Sequence, residues 1–201
     1  MSSQTDLKQE RRKQILDAAE KVFTRRGFNK ARMDDIAAES GLSKGALYWY
    51  YKSKDEIILA LMERMFIGEM KEAEDLVNAG GAADQRLHLF FEAAISEIRH
   101  FEQRMPLGYE FFSMAAHNAE VRKAIRGYYR RYQALLSKII KQGIDSGEFI
   151  AIDPDDAATA AIGIVEGMTL MWFLDPEILD WDHIGDLPAR IFMQGIGKRE
   201  S

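Results

Sequence analysis

The side chains best suited to chemistry lie between Arg32 and Lys54, and the densest group follows Ser43. At 100° per residue, Lys44, Gly45, Tyr48 and Trp49 fall in one broad arc of a helix, facing away from Ser43 and beside Leu47. A cation, a bare stretch of backbone and two aromatics on one face suit DNA. Lys reaches a phosphate or a guanine edge, Gly lets the helix come close, and Tyr or Trp bonds a phosphate while packing on sugar or a thymine methyl. Tyr51, four residues after Leu47, is placed in the core by that spacing, and Lys44 and Tyr48 on the contact side.

Those residues need a scaffold, which the apolar spacing supplies. From Arg11 to Arg26, Ile15, Leu16, Ala19, Val22 and Phe23 recur at helical intervals, and Gly27 stands where a left-handed C-terminal cap is usual. Met33, Ile36 and Ala37 predict a short second helix running into Glu39-Ser40-Gly41, and Ser43 offers an N-cap for a third. Two short helices joined by a Gly-bearing turn form a helix-turn-helix unit. Ser53 with Glu56 predicts a capping box for a longer fourth helix bearing Ile57, Ile58, Leu61, Met62, Met65 and Phe66.

Beyond the break at Ala79-Gly80-Gly81-Ala82, Asp84 is positioned to cap a helix carrying Leu87, Phe91, Ala94, Ile98 and Phe101. Pro106 opens an aromatic segment, Leu107 to Met114. From Asn118 to Ser146 the residues Val121, Ile125, Tyr128, Tyr132, Leu135 and Ile139 hold one face up to Gly147, and Asp153-Pro154 starts an alanine-rich helix to about Phe173. A last helix carries Ile184, Leu187, Ile191 and Phe192. No run alternates convincingly as a strand. The expected fold class is all-α, with a DNA-binding bundle over residues 1–54, a connecting helix over 54–76, and a larger helical ligand-binding and dimerisation domain over 55–201.

The stretch Ile36-Ala37, then Gly41-Leu42-Ser43-Lys44-Gly45-Ala46-Leu47-Tyr48, then Tyr51 and Lys54, resembles the TetR family of transcriptional repressors. The resemblance implies that Lys44, Gly45 and Ala46 lie near base edges and Tyr48, Trp49, Tyr50 and Lys54 near backbone phosphates, with Ser43 and Arg32 also among the DNA-binding residues. One position departs from the family pattern. Arg32 stands where Thr usually caps the second helix, and Arg cannot make that short bond, although its guanidinium suits a phosphate. Asn29 is an alternative cap. The segment with Lys8, Arg11 and Arg12 reads as a solvated end or as an arm for the minor groove.

The rest of the chain is read first on its residues. Ala157, Ala158, Ala160, Ala161, Gly163 and Gly167 allow close helix approach beside Met168, Met171, Trp172, Ile184, Leu187 and Ile191. They serve equally to cover their own core or to pair with a second copy; the resemblance implies a homodimer through the last two helices. It also implies a pocket for a small apolar or aromatic effector, for which Met62, Phe66, Phe91, Tyr109, Phe112, Tyr128, Tyr132 and Trp172 are candidates. Glu166 interrupts an apolar helix, and a buried carboxylate there needs a partner, either a ligand or a neighbouring Tyr or Arg.

Composition sets the outer limits. The chain has 201 residues with 47% apolar and 29% charged, values of a folded globular protein. It has no cysteine, which excludes thiolate chemistry and Cys-ligated metals. The net charge of -5 hides +5 over residues 1–54 and -10 over the remainder, so the basic part suits a polyanion. His88, His100, His117 and His183 form no metalloenzyme pattern, and no phosphate loop or nucleophile elbow occurs, so neither an enzyme nor a metal or cofactor site is expected. His88 with Glu92 reads as an ordinary surface pair, and Arg122, Lys123, Arg126, Arg130 and Arg131 as a solvated face. The polar first residues lack the apolar core of a secretory signal, and Glu166 inside the run from Ala157 to Leu174 argues for a buried helix over a membrane span. Together with these limits, the resemblance implies a cytoplasmic, dimeric DNA-binding regulator released from a palindromic operator by a ligand. The alternative is a regulator of the same fold without a small-molecule ligand, answering to a protein partner or acting as an activator.

Overall fold

The computed structural model describes residues 4–100, 105–180 and 185–197, with side chains there other than 4, 5, 66–69, 72, 97, 99 and 100. Among these residues nine helices follow one another: α1 Gln4–Lys30, α2 Met33–Ser40, α3 Lys44–Tyr50, α4 Lys54–Asn78, α5 Ala83–His100, α6 Met105–Ala115, α7 Ala119–Ser146, α8 Pro154–Leu174 and α9 Leu187–Ile196. The all-α expectation holds. Phe101 and Ile184, both assigned to apolar stripes from the spacing, lie outside the described residues, and so does the side chain of Phe66.

By its contacts the chain divides into two compact units, one through Phe66 together with α6 and the start of α7 up to Ile125, the other with the remainder. The motif-based division at residue 54 differs because α6 packs on α1 and because the first turns of α4 belong with the helices before them. Ile57, Ile58 and Leu61 on α4 are fully buried.

In the first unit, Ile15, Ala19, Val22 and Phe23 on α1, Ile36 on α2, Leu47 on α3 and Leu107 and Phe111 on α6 are buried. Phe28 stands edge-on to Phe23 with ring centroids 4.9 Å apart and lies 5.0 Å from Phe111. That packing needs the sharp bend at Gly27, whose φ of 72° and ψ of 163° belong to a region open essentially to glycine alone. The Glu110 carboxylate of α6 accepts the Phe28 N–H at 2.5 Å, and a Cβ on Gly27 would come within 2.6 Å of it. The helix predicted from Arg11 starts a full seven residues earlier, and its expected cap at Gly27 is a kink instead.

In the second unit, Leu87, Phe90 and Phe91 of α5, Leu136, Ile139 and Ile140 of α7, Ala158 and Ala161 of α8, and Ala189 and Phe192 of α9 share one core. Two helix starts are as the sequence predicts. Asn118 accepts the N–H groups of Glu120 and Val121, and Asp153 those of Asp155 and Asp156 ahead of Pro154. The cap of α5 differs: Glu148, distant in sequence, accepts the Asp84 N–H at 3.1 Å. The Ser146 hydroxyl, with the backbone N–H groups of Asp84 and Ala83, holds the Glu148 carboxyl below the usual carboxylate range.

Candidate functional site

The turn between α2 and α3 is built from local bonds. Gly41 adopts a left-handed conformation, φ 67°, after Ser40, and the Leu42 N–H returns to the Ala37 carbonyl at 3.1 Å. Ser43 then accepts the Ala46 N–H at 3.2 Å and starts α3, so its hydroxyl serves the helix cap. Leu47 and Tyr51, one helical turn apart, are both buried and fix which way α3 faces.

What remains outside is the predicted arc. Lys44, Gly45, Tyr48 and Trp49 are exposed and Ala46 and Tyr50 half-buried, with Trp49 showing 62% of its surface and lying edge-on to Tyr50 at 4.6 Å. A Cβ on Gly45 would meet nothing within 4 Å, so the fold itself does not require glycine there. Gly45 is the second residue of α3, and the helix face beside it is open to a close approach. The Lys44 ammonium pairs with Asp34 at 2.8 Å, and that hydrogen bond, then the charge of Asp34, raises its pKa.

Arg32 is exposed at the start of α2, and its side chain accepts no hydrogen bond there. The cap comes instead from Asp35, whose carboxylate accepts the Arg32 N–H at 2.9 Å, so the alternative cap proposed for Asn29 is not used. Lys54 is turned inward. Its ammonium donates to the carbonyls of Phe28 at 2.5 Å and Ala31 at 3.1 Å, which ties the α1–α2 turn to α4 and leaves Lys54 a scaffold role in this conformation. Glu56 also departs from the expected box: Ser53 accepts the Glu56 N–H at 3.1 Å, but the Glu56 carboxylate accepts from the Lys52 N–H, 2.7 Å away.

The first turns of α1 add charge to this surface. Lys8 lies over the Trp49 ring at 5.6 Å and Arg12 over the Tyr51 ring at 5.0 Å, with Arg12 Nε also 3.3 Å from the Tyr51 hydroxyl. A helix, not a loose end, therefore places Lys8 and Arg12 beside α3. No sequence spacing joins residues 8 and 49; only the fold does.

The residues proposed to line an effector pocket are distributed over both units. Met62 is buried in the first, where Tyr109 and the exposed Phe112 form a ring pair at 6.2 Å. In the second, Phe91 is fully buried against Phe192, Tyr132 packs between Phe90 and Tyr128, and Trp172 lies half-buried beside Ile95, Met168 and Leu179. Glu166 is exposed as a residue, and its carboxyl lies beside Tyr129 of α7. It accepts the Tyr129 hydroxyl at 2.7 Å, the neighbour option left open by the sequence. Burial raises its pKa, and the Tyr129 bond only partly offsets this. A shallow cleft of about 440 Å³ between α1 and α2 is walled by Glu10, Lys13, Asp17 and Glu39, an unsuitable lining for an apolar molecule.

The helix predicted to be buried, α8, is buried on one side only. Ala157, Ala158, Ala161 and Thr169 face the core, while Ala160, Gly163, Gly167, Leu170, Met171 and Leu174 lie toward the other side, with Leu174 exposed to 72%. Arg190 and Ile191 on α9 are exposed as well. By length and hydropathy α8 is also long and apolar enough to cross a membrane. Among the described residues no group of histidines and carboxylates is arranged to hold a metal, and His88 pairs with Glu92 at the surface at 3.3 Å.

Comparison with known proteins agrees with this fold. Residues 15–61 match the pattern described as bacterial regulatory proteins, tetR family, and residues 83–190 match the BetI-type transcriptional repressor, C-terminal pattern. The HTH-type transcriptional regulator TtgR of Pseudomonas putida is 27% identical over 180 residues, covering 86% of this chain and 84% of its own. A solved structure of a putative transcriptional regulator from Saccharomonospora viridis in complex with choline is 22% identical with a TM-score of 0.83, over 95% of this chain and 100% of that one. The SmeT–triclosan complex is 23% identical with a TM-score of 0.79, over 94% and 92%.

Proposed function

The chain belongs to the TetR family of bacterial regulatory proteins, so it is a helix-turn-helix transcriptional regulator and not an enzyme, and on that premise we propose that it is a cytoplasmic, dimeric repressor released from a palindromic operator by a small apolar or aromatic effector. The observation that carries the DNA-reading half is the exposed arc of α3, where Lys44, Gly45, Tyr48 and Trp49 point outward from an anchor of Leu47 and Tyr51. Lys44, Gly45 and Ala46 meet base edges in the major groove, and Tyr48, Trp49, Tyr50 and Arg32 meet phosphates. Two copies pair through α8 and α9, because the apolar stripe from Ala160 to Leu174 is otherwise left to water. The dimer then presents two α3 helices to successive major grooves of a palindrome.

The effector half is supported by the half-buried Tyr128, Tyr132 and Trp172 and by similar folds solved with choline or triclosan. An effector releases the operator only by binding the non-operator conformation better. A tenfold to hundredfold loss of operator affinity corresponds to a coupling of about 1.4 to 2.7 kcal/mol. The test is selection of bound sequences from a random duplex pool at two salt concentrations, with the wild-type chain, Lys44→Ala and Tyr48→Ala. The reading predicts one enriched palindrome, relaxed by Lys44→Ala and weakened by Tyr48→Ala; binding indifferent to sequence would refute it.

A further inference from the structure

We propose that Asp34 determines the DNA specificity of this interface by acting on Lys44, a role that rests on the reading of α3 as the recognition helix. Lys44 is the one cation in the sequence of α3, and its ammonium lies 2.8 Å from an Asp34 carboxylate oxygen. The two side chains are 63% and 65% exposed, so the pair is presented to whatever approaches α3. The adjacent carboxylate is engaged within the fold, since Asp35 caps α2 through the Arg32 N–H and lies 3.6 Å from Arg26. Asp34 points to Lys44 instead.

A carboxylate at a DNA-facing surface opposes every contact with phosphate, because it repels the backbone and competes for the ammonium. A phosphate has acceptors to offer and nothing for Asp34. A base edge in the major groove differs, since guanine presents two fixed acceptors to a lysine that Asp34 already orients. The Lys44–Asp34 pair therefore weakens the sequence-independent mode of binding and leaves the sequence-dependent mode intact, with Asp34 holding the lysine to one orientation. The turn through Gly41 and the Leu42 N–H bond to Ala37 keep α2 and α3 in fixed register, so the pair approaches DNA as a unit.

The experiment is a double-mutant cycle of Asp34→Asn and Lys44→Ala, titrated on the selected operator and on an unrelated duplex of equal length. Both positions are exposed, and thermal unfolding of each variant checks that it folds. Asp34→Asn is expected to tighten binding to the unrelated duplex and to lower the operator-to-unrelated ratio by about two- to fivefold, the scale of one exposed ion pair. In the Lys44→Ala background it is expected to leave that ratio unchanged, and selection with Asp34→Asn alone should lose preference at the base pairs that Lys44→Ala also relaxes. An unchanged ratio in Asp34→Asn, or an equal fall without Lys44, overturns the proposal. A wild-type chain with no operator preference, or one whose preference survives Lys44→Ala, overturns the recognition-helix premise and the proposal with it.

Discussion

Gly45 on α3 and Gly163 and Gly167 on α8 occupy helical positions where a Cβ would meet nothing within 4 Å, whereas a Cβ on Gly143 of α7 would overlap the Phe149 ring. The fold requires glycine at 143 and does not require it at the other three. Gly45, second in α3, costs that helix little, whereas Gly163 and Gly167 lie within α8; open space also adjoins Gly108, Gly127 and Gly195, so it is the flanking residues that distinguish the two faces proposed to meet another molecule. Their surroundings separate the two. Around Gly45 stand Lys44, Tyr48 and Trp49, a charge and two hydrogen-bonding aromatics; around Gly163 and Gly167 stand Ala160, Leu170, Met171 and Leu174. On the proposed reading, open helical faces with opposite flanking chemistry address a polyanion in one place and a second copy of the chain in the other.

The largest effect should come from charging the apolar face. Leu170→Glu is expected to abolish dimers at micromolar concentration and to reduce operator affinity by about a hundredfold or more, read by sedimentation and operator titration, since one α3 cannot engage two half-sites. If dimers persist, the α8 face is not the seam. Next in size is Gly143→Ala, expected to lose about 1–3 kcal/mol in urea unfolding by overpacking against Phe149. Unchanged stability there would undo the contrast between required and unrequired glycines.

Gly45→Ala sharpens the comparison by opposite signs. It should raise stability by no more than about 0.5 kcal/mol, since Gly45 lies in the first turn, while weakening operator binding several-fold, with the dimer unaffected. A gain in both would mean that nothing approaches α3 closely. The smallest effect concerns pH. Because burial raises the pKa of Glu166, the folded chain binds more protons there than the unfolded chain, and this group lowers stability as pH rises from the ordinary carboxylate range through its raised pKa. Glu166→Gln should remove that fall, giving a flatter melting temperature as pH rises above the ordinary carboxylate range; Glu148, held in the opposite sense, contributes stability above the ordinary carboxylate range that is lost as pH falls through its lowered pKa.

Much of this was legible in the residues because it is local. Apolar intervals of three and four gave the helices, Asn118 and Asp153-Pro154 marked where two of them begin, and the i, i+4 spacing of Leu47 and Tyr51 placed Tyr51 inward. What was not legible depends on contacts far apart in sequence. Glu148 caps α5 across 64 residues, Glu110 grips the Phe28 N–H across 82, and Lys54 turns to carbonyls 23 and 26 residues back. None of these leaves a periodic trace. The half-exposed state of α8 was hidden for another reason: small residues on both sides of a helix look alike whether they meet the same chain or another.

The central claim is that α3 reads DNA as one of a pair held together elsewhere. Its most direct test is the mass and stoichiometry, by sedimentation, of the free chain and of its complex with the selected palindrome and with a single half-site. The account predicts a free species of twice the 23.0 kDa chain, two chains per palindrome, and much weaker binding to the half-site. A free species of one chain that binds the half-site as tightly as the palindrome would contradict it.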